Sequence, residues 1–221
     1  MKKTTLFFLG LCLSVGLTAQ NTTKLTDLNL ANIWQEYGTP TVEQLGINKE
    51  DTALRLHAKS ILKIKLDRGS QRFETLLSVP ELNTNFAEES LIVQPLVNGT
   101  KLYFKKDGDS KRLIGVTGTS GNIEKGSVEF IFKGDGKEIY NSGVIRAGDA
   151  PKPVNIDLSN IHLLEIELNP TQDGPSGDYA LLVNPNLTYK SVEPILIEAT
   201  AMGKGPEQSK EVSQHLSSKL K

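Results

Sequence analysis

The sequence predicts an all-β protein, an antiparallel β-sandwich of the jelly-roll type, and three observations carry that expectation. Short apolar segments alternate with polar residues along much of residues 55–183, the period-2 pattern of strands with one buried face. Turn chemistry separates these segments: Asp67-Arg68-Gly69, Asn98-Gly99 and Gly134-Asp135-Gly136 all offer residues that accept tight or positive-φ turns. Across the same region strand patterns outnumber helical ones, which favours layered sheets over a bundle.

The chain opens with Met1-Lys2-Lys3, an apolar run from Leu6 to Leu17 and Thr18-Ala19-Gln20. A basic start, a short apolar core and a small residue before the break predict a secretory signal peptide over 1–19 and an exported protein, periplasmic, cell-surface or secreted. The run is shorter than the ~20 residues of a stable membrane anchor, so no span is expected once the signal is removed. Cys12, the single cysteine, lies inside this leader behind Leu11. Cleavage after Ala19 would leave no thiol, excluding disulfides, a cysteine nucleophile and cysteine-ligated metal. The formal charge is −1, and loss of Lys2 and Lys3 leaves 23 basic against 26 acidic residues. With no dense basic cluster, nucleic acid is not an expected partner.

Residues 20–32 read as a lead-in, followed by Trp34, the only tryptophan, and the turn signal Gly38-Thr39-Pro40. Ile61, Ile64 and Leu66 interleaved with Lys63 and Lys65, then Phe73, Leu76, Leu77 and Val79, predict two consecutive antiparallel strands. Residues 80–125 read as an elaboration inserted into the scaffold, with strands at 91–93, 102–104 and 113–116. Val128, Phe130 and Phe132 share one strand face, and Ile139 to Ile145 forms the return arm after Gly134-Asp135-Gly136. Pro151 and Pro153 impose an extended connection to Val154, Ile156 and Leu158. Leu164, Ile166 and Leu168 alternate with Glu165 and Glu167 as a strand with one wet face, and Tyr179 to Val183 reads as a buried strand. The extension 190–221 is polar, with Val212, Leu216 and Leu220 spaced for a short terminal helix from Pro206 or for a frayed end.

The wording of several segments is more specific than their patterning. Gly126-Ser127-Val128, Gly134-Asp135-Gly136-Lys137, Tyr140, Ser142-Gly143-Val144 and Asp149-Ala150-Pro151-Lys152-Pro153-Val154 resemble the NPCBM/NEW2 family, the novel putative carbohydrate-binding module of secreted bacterial proteins. His57-Ala58, Ser60 and Arg72-Phe73 match the same family upstream, so the resemblance runs over 33–189 with a gap at 80–125. It implies a galactose-binding-like sandwich. In the motif around Asp173-Gly174 and Asp178, Leu181 and Leu182 stand where the family commonly has an acid and a tryptophan.

The ligand-binding set expected from these readings is Trp34, Gln35, Glu36, His57, Asp178, Tyr179 and Asn184. His57 can donate to one sugar hydroxyl and accept from another, or it can bond to backbone and lock a strand end. Trp34 can stack under a sugar ring, with Gln35 and Glu36 as the polar edge, or plug the space between the sheets. Asp178 is retained from the family motif, and Tyr179 and Asn184 are polar contacts beside it. Asp107-Gly108-Asp109 and Asp173-Gly174 are hard-oxygen clusters that could hold a structural calcium, yet neither has the late glutamate of a helix-loop-helix site, and solvated turns are the simpler account. Metal ligands stay open at this point, and no other cofactor is implied.

No nucleophile elbow, P-loop or dinucleotide fingerprint occurs, so no catalytic residue is expected. The reading is a secreted, non-catalytic module recognising a glycan or glycoconjugate, with a galactoside-type sugar favoured by the resemblance. Two alternatives stand beside it. One is a structural or protein-interaction sandwich of the cell envelope that has lost sugar binding, with an envelope protein as its partner; the other is a glycan hydrolase using carboxylates whose pairing is a tertiary property.

Overall fold

The computed structural model describes residues 20–44, 51–83, 91–95, 101–107, 110–114, 123–175 and 177–201. The expected leader with Cys12, Gly108 and Asp109 of the Asp107-Gly108-Asp109 turn, and the expected terminal helix lie outside the described residues. Strands follow in chain order as β1 (Asn21–Lys24), β2 (Trp34–Gln35), β3 (Thr41–Gln44), β4 (Thr52–His57), β5 (Ser60–Lys65) and β6 (Ser70–Ser78). After these come β7 (Glu81–Asn83), β8 (Leu91–Pro95), β9 (Lys101–Asp107), β10 (Ser110–Ile114) and β11 (Ile123–Lys125). The rest are β12 (Ser127–Gly134), β13 (Lys137–Arg146), β14 (Lys152–Asp157), β15 (Leu163–Pro170), β16 (Tyr179–Tyr189) and β17 (Ile195–Ile197). Short 3-10 turns at Leu25–Asp27 and Leu30–Asn32 are the helical elements of the described residues, and no helix there is long and apolar enough to cross a membrane.

Two six-stranded antiparallel sheets make the sandwich. The first runs β14-β6-β16-β4-β3 with β1 added along the far half of β16; the second runs β13-β12-β15-β5-β17 with β2 beside β5. From β14 onward successive strands alternate between the sheets, the jelly-roll habit of the expected fold. The sheets close on one apolar core. Val128, Phe130 and Phe132 on β12, Leu164, Ile166 and Leu168 on β15, Leu54 and Leu56 on β4, and Phe73 and Leu77 on β6 are all essentially inaccessible to solvent. Phe73 meets Phe132 across the interface at 5.9 Å between ring centroids.

The strands β7 to β11 form a five-stranded sheet of their own, β10-β9-β8-β7-β11. Strands expected at 91–93 and 102–104 are present as β8 and β9; of the strand expected at 113–116, residues 113 and 114 belong to β10, and 115 and 116 lie outside the described residues.

Local chemistry explains several details. Asp135 and Gly136 both have positive φ, 50° and 80°, and Gly134 pairs with Lys137, so the β12–β13 hairpin closes through the two-residue turn that needs both centres left-handed. Gly134 itself is extended, and its reason is space: a Cβ there would come within 2.7 Å of the Ile161 side chain. Pro153 is tolerated because β14 is an edge strand, where the missing N–H removes no ladder bond from the sheet interior.

One expected element is present with less burial than its apolar run suggests, and one sequence expectation needs correction. The return arm β13 is an edge with only Ser142 and Ile145 buried, while Ile139 and Val144 stay 40% exposed, so its apolar run overstates its burial. The glutamate face of β15 is only partly wet. Glu167 is 5% exposed and ion-paired with Lys133, and Lys63 and Lys133 flank Glu165 at 3.2 and 3.8 Å.

Candidate functional site

The side-chain alternation that buries Leu54 and Leu56 turns Arg55 and His57 to the outer face of the first sheet. Register then supplies their neighbours. Thr41 of β3 lies opposite Arg55, and Tyr179 of β16 lies opposite His57, so four side chains from three strands share one face. Gln35 at the end of β2 and Tyr37, Gly38 and Thr39 from the β2–β3 connection form one wall, and Pro175 and Gly177 from the β15–β16 loop form another, around a pocket of about 650 Å³. That volume lies within the ~300–1,000 Å³ of small-molecule sites.

His57 joins the two roles left open for it. Its Nδ1 lies 3.2 Å from the Ala58 carbonyl, which makes Nδ1–H the donor to backbone, and in the neutral tautomer Nε2 is then the acceptor. Its ring is also an element of the pocket, set edge-on against Tyr179 at 4.7 Å and tilted against Tyr37 at 5.2 Å. The pocket is thus aromatic on two sides with imidazole between them.

Gln35 builds the pocket from beneath. Its Oε1 accepts from the His57 amide at 3.0 Å and the Ser60 hydroxyl at 2.9 Å, and its Nε2 donates to the Tyr37 carbonyl at 2.6 Å. Glu36 does not line the pocket; it pairs with Lys59 at 2.8 Å, and the Lys59 ammonium holds its carboxyl below the usual value. Trp34 is also outside. It pairs with Ile61, which places it on the outer face of the second sheet, and it is neither a lining residue of this pocket nor fully buried between the sheets. Trp34 and Gln35 are adjacent in sequence and therefore point to opposite faces.

Asn184 has a structural assignment. It sits at φ 47°, where the register between β16 and β6 slips by one residue, and the buried phase of β16 changes from Ala180 and Leu182 to Leu187. Its Oδ1 accepts from the Thr52 amide at 3.0 Å. At ~3.3 Å per residue it lies about 17 Å along the strand from Tyr179. The two leucines that depart from the family wording are buried in the first sheet, Leu182 in the core, and neither lines the pocket.

Asp178, the remaining expected ligand residue, is 1% exposed and braces the pocket wall instead of facing it. Its Oδ1 accepts from the Ser127 amide at 2.7 Å, its carbonyl accepts from the Ala58 amide at 2.8 Å, and its Oδ2 has no hydrogen-bond partner among the described residues. Burial pushes its carboxyl above the usual range, and nearby Asp173 adds to the rise, against the lowering effects of the Ser127 amide and His57. Asp173 itself is held low, first by the Thr171 hydroxyl and then by that of Ser127. Among the described residues no group of three or more His, Cys, Asp or Glu is placed to hold a metal ion.

A raised folded-state pKa means that the contribution of Asp178 to stability is fully present below its unfolded value and is lost as pH rises through the folded value. Asp178→Asn removes that titration. The stability of the variant relative to wild type is therefore expected to increase as pH climbs from the ordinary carboxylate range, read as the difference between their urea midpoints at successive pH values. A constant offset due to the amide does not alter this slope, and a flat difference would show that Asp178 ionises as freely in the folded chain as in the unfolded one.

Sequence reasoning missed Arg55 and Tyr37. Arg55 lies with its guanidinium 5.5 Å from the Tyr179 ring centroid, while Nε is 3.0 Å from the Thr41 hydroxyl and 3.4 Å from the Glu43 carboxylate. Tyr37 is 42% exposed, and Lys59 approaches its ring at 5.9 Å. The period-2 alternation of β4 was the available signal for Arg55, since it puts residues 55 and 57 on one face.

Comparison with known proteins adds the following. The NPCBM/NEW2 domain model matches residues 98–188, a span that holds Asp178 and Tyr179 but leaves His57 upstream. No curated protein matches the chain. Among solved structures, CBM51-2 with the INT domains of Clostridium perfringens ZmpB, in complex with GlcNAc, is 15% identical with a TM-score of 0.47, covering 76% of this chain and 32% of that one. The CBM51 of Clostridium perfringens GH95 in complex with methyl-galactose is 14% identical with a TM-score of 0.46, covering 76% of this chain and 99% of that one. The M60 catalytic domain with CBM51-1 and CBM51-2 of Clostridium perfringens ZmpB is 20% identical with a TM-score of 0.49, over 77% of this chain and 15% of that one. The chain thus spans about a third of the first of these and less of the third. What the comparisons show is thus a match of residues 98–188, less than half of the chain, to the NPCBM/NEW2 domain model.

Proposed function

We propose that this protein is an exported, non-catalytic module that binds a glycan in the pocket between Tyr37, His57 and Tyr179, a galactoside-type sugar being the first to try. The convergence of two tyrosine rings on an imidazole, at the mouth of a sheet face otherwise occupied by structural residues, carries this reading. A sugar ring presents an apolar C–H face to an aromatic ring and hydroxyls at its edge, and this lining offers both kinds of partner: tyrosine rings for the face, His57 Nε2 and the phenol hydroxyls for the edge. The aromatic, imidazole and guanidinium groups of the described lining residues are groups that recognise a sugar, and no carboxylate pair of the kind that cleaves a glycosidic bond is among those residues.

Calorimetric titration of the folded protein with galactosides, other hexosides and larger glycans tests the proposal. Binding is expected, and Tyr179→Ala is expected to weaken it by at least about tenfold, the scale of an interface aromatic anchor, with little change in thermal stability because the ring is on the outer face. Silence across the panel from folded protein would sink the reading. Undiminished binding by Tyr179→Ala would move the site elsewhere.

A further inference from the structure

We infer that the glycan bound here carries an anionic substituent, a carboxylate or a sulfate, received by the terminal nitrogens of Arg55. The inference rests on the reading of the pocket as a glycan site. Its own ground is the placement and geometry of one guanidinium. Among the described lining residues Arg55 is the one permanently charged side chain, and none of them is an aspartate or glutamate. The carboxylates nearby are spoken for. Glu43 is 6% exposed and takes a hydrogen bond from the Thr41 hydroxyl at 2.9 Å; Glu36 is tied to Lys59; Asp178 is turned to the Ser127 amide.

Glu43 and Thr41 engage Arg55 through Nε, which faces β3. Among the described residues no hydrogen bond engages Nη1 or Nη2, and the side chain is 26% exposed and lines the pocket. Guanidinium is a planar fork whose parallel N–H bonds match the paired oxygens of a carboxylate or sulfate. A neutral sugar hydroxyl supplies only one acceptor oxygen to that fork. The Tyr179 ring at 5.5 Å, together with the Nε contacts, holds the fork in place before a ligand arrives, which lowers the entropy lost on binding. The partner chemistry is therefore an acidic sugar, with its ring against the tyrosines and its anion on Arg55.

The test is calorimetric titration of the full chain with galactose, galacturonate and galactose 6-sulfate at low and near-physiological salt. At least one acidic sugar is expected to bind about tenfold or more tightly than galactose, as a charge-assisted bond predicts, and that preference is expected to shrink as salt is added. Arg55→Gln combined with Glu43→Gln, which avoids stranding a buried carboxylate, is expected to bring the ratio of acidic to neutral affinity to about one. Preference for the carboxylate or for the sulfate identifies which anion is read. Equal affinity for neutral and acidic sugars in the wild-type protein overturns this inference and leaves the glycan reading intact. Silence toward all three, extended over the wider glycan panel, overturns both.

Discussion

Phe132→Ala is expected to lower the free energy of unfolding by about 3–5 kcal/mol, the range for truncating a fully buried phenylalanine. Phe132 has no solvent exposure, and its ring meets three others: Phe73 of the opposite sheet at 5.9 Å, Phe130 at 6.4 Å and Tyr140 at 5.5 Å. The strand β12 that carries it is held on both sides, by β13 and β15, so the backbone cannot move in to fill the space left by the ring. Small domains are stable by only about 5–15 kcal/mol, so this one residue accounts for a large share of the margin. Urea unfolding reads the effect as a lower midpoint with an unchanged slope. Val144→Ala, on the exposed edge strand of the same hairpin, is the internal contrast and should stay within about 0.5 kcal/mol. A Phe132→Ala protein as stable as wild type would mean that the two sheets do not meet through this ring.

Gly126→Ala is expected to destabilise by about 1–3 kcal/mol although it adds a single methyl group, the cost of overpacking a site that cannot yield. A Cβ at this position would come within 2.5 Å of the Gly177 carbonyl oxygen and 2.9 Å of the Asp178 Cα. Both obstacles are backbone, so no side-chain rotation relieves them. The segment that must retreat also carries Pro175 and Gly177 of the pocket wall, and its retreat breaks the Ser127 amide bond to Asp178. Sugar affinity should therefore fall together with stability in this variant, whereas Phe132→Ala should leave the affinity of the remaining folded molecules unchanged. A Gly126→Ala protein with wild-type melting would show that the β15–β16 loop is free to shift.

The sandwich was legible because its signals are local. The alternation of Val128, Phe130 and Phe132, the Asp135-Gly136 turn and the apolar run after Asp178 each depend on a few neighbouring residues, and each appears where expected. Burial was less legible, as Ile139 and Glu167 show: apolar residues on an edge strand stay wet, and a glutamate flanked by a lysine on the next strand can be covered. Which strand becomes an edge depends on the order of the whole sheet and is invisible within one segment.

The candidate site divides in the same way. His57 and Tyr179 were each singled out from the wording of their own segments, and they do meet, but only because β4 and β16 pair with residue 57 opposite residue 179. Trp34, read as a companion of Gln35, is turned to the other sheet by one step of the chain, and Asn184, read as a contact, is the residue that lets β16 change phase. Arg55 carried no signal of its own in the sequence. By itself the sequence determined the alternating strands of the sandwich and the Asp135-Gly136 turn, because φ/ψ preference and the two-residue side-chain period act within a short stretch of chain. Only the tertiary structure decided which outward-facing residues became neighbours, because cross-strand register is set by packing of the whole core, and a shift of one residue would send Arg55 and His57 to the opposite face.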